Sequence, residues 1–214
     1  MIPNKEDFLK ELVLRNKEFK LTDNQLQRTA LFAHILHREN AEQNLTRILG
    51  TKEFVDGHLV DVMELLNGDS LGQKVLDIGS GSGVPGLLAA AIDESSREWH
   101  LAESEQSKAE YLVRAAAEIG LKQVFVYPAR ADQVVREINP DTVMARAVGS
   151  VEKIAAWIWD CSTWNNLVLF KSRGWEDEWK QAQLNKFGKK LTVTHVKDYS
   201  NDQRTRLLVT LTKK

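Results

Sequence analysis

The sequence predicts an α/β protein: a mostly parallel seven-stranded sheet closed by a C-terminal antiparallel hairpin and preceded by a helical extension. Three observations lead there. From about residue 73, short apolar runs alternate with helical segments, the pattern of repeated β-α-β units. A glycine-rich stretch, DIGSGSGVPG at 77–86, follows the first such run. The last two strand-like runs are joined only by a short polar stretch, which forces antiparallel pairing.

Residues 1–70 read as helices. The segment 6–17 carries Phe8, Leu9, Leu12 and Leu14 at roughly helical spacing. Thr22-Asp-Asn-Gln25 fits a capping box and opens a long helix to about residue 37. A third helix is expected over 52–66, ending at the turn signal Asn67-Gly-Asp-Ser70. Strands follow at 75–78, 99–102, 124–127, 142–145 and 167–170, with helices at about 85–93, 105–119, 130–137 and 150–160. After a helix at 175–187 come strands at 191–196 and 206–211. The expected organisation is a helical extension over 1–70 and an α/β domain over 71–214, packed as one unit. A parallel sheet ending in an antiparallel hairpin is the arrangement of class I S-adenosylmethionine-dependent methyltransferases, not the usual nicotinamide-binding one.

Composition bounds the function. Of 214 residues, 43% are hydrophobic and 28% charged, an ordinary globular balance. No run of 18 apolar residues offers a membrane span, and the N-terminus lacks an apolar export signal. Cys161 is the only cysteine, so an internal disulfide and a CxxC metal site are excluded and a cytoplasmic location is expected. His34 and His37 share a helix face, but no histidine spacing suggests a metal. Net charge is −1, unevenly distributed: residues 171–214 hold 11 Lys/Arg against 5 Asp/Glu. Such asymmetry fits a polyanion-facing surface or a solvated basic face.

The glycine stretch admits two readings. GSGVPG at 81–86 fits G-x-G-x-x-G, a dinucleotide fingerprint; DIGSGSG at 77–83 places an acid just ahead of the loop. The first begins two residues late, because Gly79 already ends the strand. Asp77 would also oppose a pyrophosphate, whereas it suits a ligand cationic at that end. S-adenosylmethionine carries both an ammonium and a sulfonium. Ser80, Gly81 and Gly83 complete the loop that would approach this cofactor. Glu103 closes the next strand, where a carboxylate can accept both hydroxyls of an adenosine ribose. The third strand is followed by Pro128-Ala-Arg-Ala-Asp132, placing Asp132 near an adenine amino group, or as an ordinary helix cap.

These residues resemble the RsmG/GidB family, the bacterial 16S rRNA guanine-N7 methyltransferases. The matching segments are Asn44-Leu-Thr46, His58-Leu-Val-Asp61, DIGSGSGVPG, Glu103-Ser104, Ala129-Arg-Ala-Asp132, Ala145-Arg-Ala-Val148 and Arg206-Leu-Leu-Val209. The chain departs from the family pattern at Glu39, Gln43, Val62, Val84 and Asp132. The resemblance implies that Gly79, Val84, Ala131, Asp132 and Arg146 line the cofactor site, with Glu103 and Ser104 near the ribose. It implies 16S rRNA or the small ribosomal subunit as partner. Asn44, His58, Lys171 and Arg173 are the expected RNA contacts, with Lys186, Lys189, Lys190 and Arg204 as further phosphate contacts. Guanine N7 needs no deprotonation before attack, so no catalytic acid or base is assigned; Arg146 is the one candidate for orienting guanine or cofactor. A monomer is expected. An NAD-linked oxidoreductase and a non-catalytic RNA-binding protein on the same fold are the alternatives.

Overall fold

The structure is a computed structural model that describes residues 3–201 and 204–214. Two capping boxes start the helical extension. Asn4 and Asp7 bond reciprocally ahead of α1 (Lys5–Phe19), and Thr22 and Gln25 do so ahead of α2 (Asp23–Gln43). α2 outruns its apolar periodicity by two turns. Its polar end is held by Arg38–Glu118 and Arg114–Glu39 pairs, and it stops at Asn44 in the left-handed conformation.

The helix expected over 52–66 is interrupted. α3 (Thr51–Phe54) runs into a π-helical turn (Val55–Leu59) before α4 (Val60–Leu66). Such turns re-aim side chains, and this one contains His58.

The strands are β1 (Lys74–Ile78), β2 (Glu98–Ala102), β3 (Val124–Tyr127), β4 (Thr142–Arg146), β5 (Asn166–Lys171), β6 (Leu191–Asp198) and β7 (Leu207–Lys213). Their order is β3-β2-β1-β4-β5-β7-β6; the first five run parallel and β7 is antiparallel to both neighbours. Order reverses between β2 and β4 around β1, the point where open α/β sheets bind ligands. Residues 202 and 203 of the β6–β7 connection lie outside the described residues.

The connecting helices are α5 (Gly86–Ile92), α6 (Gln106–Ile119), α7 (Ala131–Ile138), α8 (Val151–Ile158) and α9 (Trp175–Ala182). α9 is shorter than the expected 175–187. Amides of Leu184 and Asn185 bond back three residues, and Gly188 closes onto Ala182, leaving no room for another helical turn. One apolar cluster unites Phe8, Phe32 and Phe54 of the extension with Leu88, Leu112 and Trp99. The other face buries Val135, Ile154, Trp164 and Leu211. The extension therefore shares its core with α5, α6 and the sheet.

Candidate cofactor and RNA site

The glycine loop is shaped by backbone. Gly79, Gly81 and Gly83 have φ of 69°, 47° and 81°, a region that side chains resist. Amides of Gly79 and Ser80 donate to the Ala102 carbonyl at 2.8 and 3.2 Å, tying the loop to the end of β2. A Cβ at Gly79 would stand 2.8 Å from Val148, and one at Gly86 2.5 Å from Asp77 Oδ2.

Two carboxylates hold this loop. Asp77 is 1% exposed; its Oδ2 accepts the Gly86 amide at 3.1 Å, while Ser80 Oγ donates to its carbonyl. Burial pushes its carboxyl up to about 7, against the pull of the Gly86 amide, Ser80 and Arg146. Glu103 accepts the Gly81 amide at 2.9 Å through Oε2 and the Glu105 amide at 2.8 Å through Oε1. Each carboxylate oxygen retains a second lone pair, so hydroxyls can still be bound there.

Beside the loop lies a cleft of about 140 Å³ lined by Gly79, Ala102, Ser104, Ala131, Val148 and Trp157, among others. That is well below the ~300–1,000 Å³ of a full small-molecule pocket, so the cleft takes one end of a ligand and the rest must lie along the loop. Small apolar walls suit a flat ring. Asp132 lines this cleft as well but is paired with Arg130 at 3.0 Å. Val84 is buried behind the loop.

Across the Arg146–Gly149 segment opens a second cavity of about 770 Å³, lined by Arg146, Lys171, Arg173, Arg204, Arg206 and Tyr199 among others. A buried network sets its floor. Asp61 faces Arg146 at 3.5 Å and Arg206 at 3.6 Å, and accepts the Tyr199 hydroxyl at 2.9 Å. Burial raises the Asp61 carboxyl, opposed by Arg146, Tyr199 and Arg206. Arg146 Nη1 donates to His58 Nδ1 at 3.2 Å, so Nδ1 is the acceptor and the proton sits on Nε2, 3.3 Å from Thr46 Oγ1. Burial first, then the Arg146 charge, lowers His58 to about 3, keeping the ring neutral.

These contacts revise several expectations. His58 is 4% exposed with both nitrogens turned inward, so it positions Arg146 and does not reach RNA. Thr46 Oγ1 lies against His58 Nε2 and accepts the Ile48 amide. Asn44 is exposed, and its backbone ends α2. Lys171 lines the large cavity but is bonded to Glu178 at 2.7 Å, whereas Arg173 is exposed. Lys186, Lys189 and Lys190 precede β6 at the sheet edge opposite the cavities, because Leu191 pairs with Lys213 while Lys171 pairs with Leu207. Asp61, Arg206 and Tyr199 had no assigned role from sequence. Asp61 was accessible through its i,i+3 spacing from His58; Tyr199 carried no sequence signal.

A family model described as rRNA small subunit methyltransferase G (GidB) matches residues 25–207. The chain belongs to this family. A ribosomal RNA small subunit methyltransferase G of Rhodopirellula baltica is 36% identical over 155 residues, 71% of this chain and 65% of that one. One from Nitrosomonas europaea is 32% identical, covering 57% and 56%. These matches thus span less than two thirds of the relatives' lengths. The Haemophilus influenzae protein of the same name matches at 27% over 88% of this chain and 90% of its own. Among solved structures, M. capricolum TrmK in complex with S-adenosylhomocysteine superposes with a TM-score of 0.55 at 17% identity, covering 73% of this chain and 67% of that one. A SAM-dependent methyltransferase from Aquifex aeolicus gives 0.53 at 14%, covering 71% and 89%. At these identities the likeness establishes the fold. Among the described residues, no helix is long and apolar enough to cross a membrane.

Proposed function

We propose that the protein transfers a methyl group from S-adenosylmethionine to N7 of a guanine in 16S rRNA. The observation that carries this is the adjacency of two unlike cavities at the C-terminal ends of the strands, separated only by Arg146–Gly149. The small cleft and glycine loop fit the cofactor: Gly79 to Gly83 give backbone approach, Glu103 can accept ribose hydroxyls, and Ala131 and Val148 flank a flat ring. When bound, S-adenosylmethionine supplies an electrophilic methyl group on a sulfonium.

The chain's own work is placement. N7 already exposes an in-plane lone pair on guanine's major-groove edge, so no side chain must remove a proton from it. Arg146, fixed by Asp61 and His58, borders the cavity where the base would sit and can orient it or the cofactor carboxylate. Lining cations include Arg146, Lys171, Arg173, Arg204 and Arg206; Asp61 and Glu178 offset part of that charge. Arg173 and Arg204, which have no carboxylate partner among the described residues, are the phosphate contacts. Residues 1–70 act as an extension folded into the same unit as 71–214, and the enzyme works as a cytoplasmic monomer.

The test offers labelled S-adenosylmethionine with naked 16S rRNA and with 30S subunits, then maps the product by N7-specific cleavage. Incorporation at one guanine is expected; none in either substrate would sink the reading. Stabilisation by NADH in place of S-adenosylmethionine would favour an oxidoreductase.

A further inference from the structure

We propose that the edge strand β6 and the lysine cluster at its far end form a second RNA-binding surface, gripping phosphodiester backbone several nucleotides from the modified base. This rests on the reading of the protein as an RNA methyltransferase. The register places Asp198, at the end of β6, beside Leu207 and hence near Lys171 and the large cavity. Leu191, at its start, lies beside Lys213 at the opposite sheet edge. Eight residues at about 3.3 Å each span roughly 26 Å, too far for a single nucleotide to touch both ends.

Below Asp198 at its upper end, this path is free of acid. Residues 183–197 contain no Asp or Glu. At its lower end stand Lys186, Lys189 and Lys190, joined by Lys213 at the end of β7 and Lys214 after it, and none has a carboxylate partner among the described residues. Some exposed cations elsewhere are neutralised locally, such as Arg38 by Glu118 and Arg136 by Asp160. Here aromatic rings hold the ammonium groups instead: Lys186 over Phe187 at 5.2 Å, Lys190 over Trp159 at 5.4 Å and Lys213 over Trp164 at 4.1 Å. A ring orders a lysine without cancelling its charge. Between the ends, β6 exposes Thr194, His195 and Val196.

Lysines also protect edge strands from pairing with another chain. That role calls for them on the strand. Three of these five precede β6, and the one lysine on it, Lys197, is paired with Glu64. Phosphate contacts supply sequence-independent affinity, which a surface remote from the reacting base can contribute.

The full-length K186Q/K189Q/K190Q variant tests this against wild type, with thermal unfolding to check folding. Filter binding of full-length 16S rRNA across a KCl series should show the log–log salt slope fall by roughly 2, at ~0.7–0.9 per lost phosphate contact. KM for the methylated RNA substrate should rise about tenfold, with kcat and S-adenosylhomocysteine affinity unchanged. The Lys→Arg triple variant should behave as wild type. An unchanged salt slope and KM would overturn the proposal, as would unchanged binding to naked RNA with lost binding to 30S subunits, which would mark a protein partner. If wild type methylates neither RNA, the enzymatic reading falls, while the salt slope still decides the surface.

Discussion

The two cavities beside Arg146–Gly149 are built by different means. The small cleft is made largely of backbone: left-handed glycines, amides tied to Ala102, and two carboxylates that bond main-chain N–H groups rather than one another. The large cavity is made of side chains from distant segments, with Asp61, Arg146, Tyr199 and Arg206 meeting over one buried carboxylate. Backbone shape suits a constant ligand, because it tolerates little variation in what it encloses. An ion-pair network is adjustable and suits the larger partner. The difference implies that damage to one cavity should leave the other largely intact.

The largest expected effect is on the network. Asp61→Ala would leave two partly buried arginines without their shared carboxylate and should destabilise the protein by about 3 kcal/mol in urea unfolding, the low end for a broken buried pair. The folded fraction should still bind S-adenosylhomocysteine normally in calorimetry; loss of that binding would mean that the cavities are not separable. Gly79→Ala is the reciprocal change. Its left-handed φ and the close approach to Val148 should cost about 1–3 kcal/mol and weaken cofactor binding at least tenfold, with RNA affinity retained.

Arg146→Ala sits on the boundary. We expect kcat/KM for methyl transfer to fall roughly a hundredfold, in line with loss of one positioned donor. Normal transfer with normal cofactor affinity would remove Arg146 from the site.

Two smaller effects sharpen the contrast. Asp77 is protonated in the folded protein below about 7, and a cationic ligand nearby favours its ionised form. Cofactor affinity should therefore strengthen several-fold as pH rises from 6 to 8, with proton release measurable by calorimetry in buffers of different ionisation enthalpy. In the free protein the sign is opposite: the raised carboxyl favours folding below its unfolded value near 3.8, and that contribution is lost as pH rises through 7. Arg173→Gln should raise the KM for RNA only two- to fivefold, leaving cofactor binding unchanged, because an exposed phosphate contact is one of several.

Legibility in the sequence followed the same division. The strands and most helix boundaries were readable because apolar periodicity, capping boxes and glycines report local backbone demands. The loop at 77–86 and the strand-end acid Glu103 were found this way. The π-helical turn at Val55–Leu59 was not, since its apolar pattern is that of an ordinary helix. His58 looked like a contact residue because a histidine in a polar-ended motif carries no mark of burial. Lys186, Lys189 and Lys190 looked like neighbours of Lys171 because proximity in sequence says nothing about which sheet edge a hairpin returns to.

By itself the sequence determined the order of elements, the parallel sheet with its reversed final strand, and the glycine loop after the first strand. Each depends on residues within a turn or a strand of one another. Only the tertiary structure decided that Thr46, His58, Asp61, Arg146, Tyr199 and Arg206 form one network, and which cations face the cavity. Those outcomes depend on strand register and burial, which bring together residues far apart in sequence, such as Tyr199 and Asp61, 138 positions apart. No local propensity encodes such a meeting.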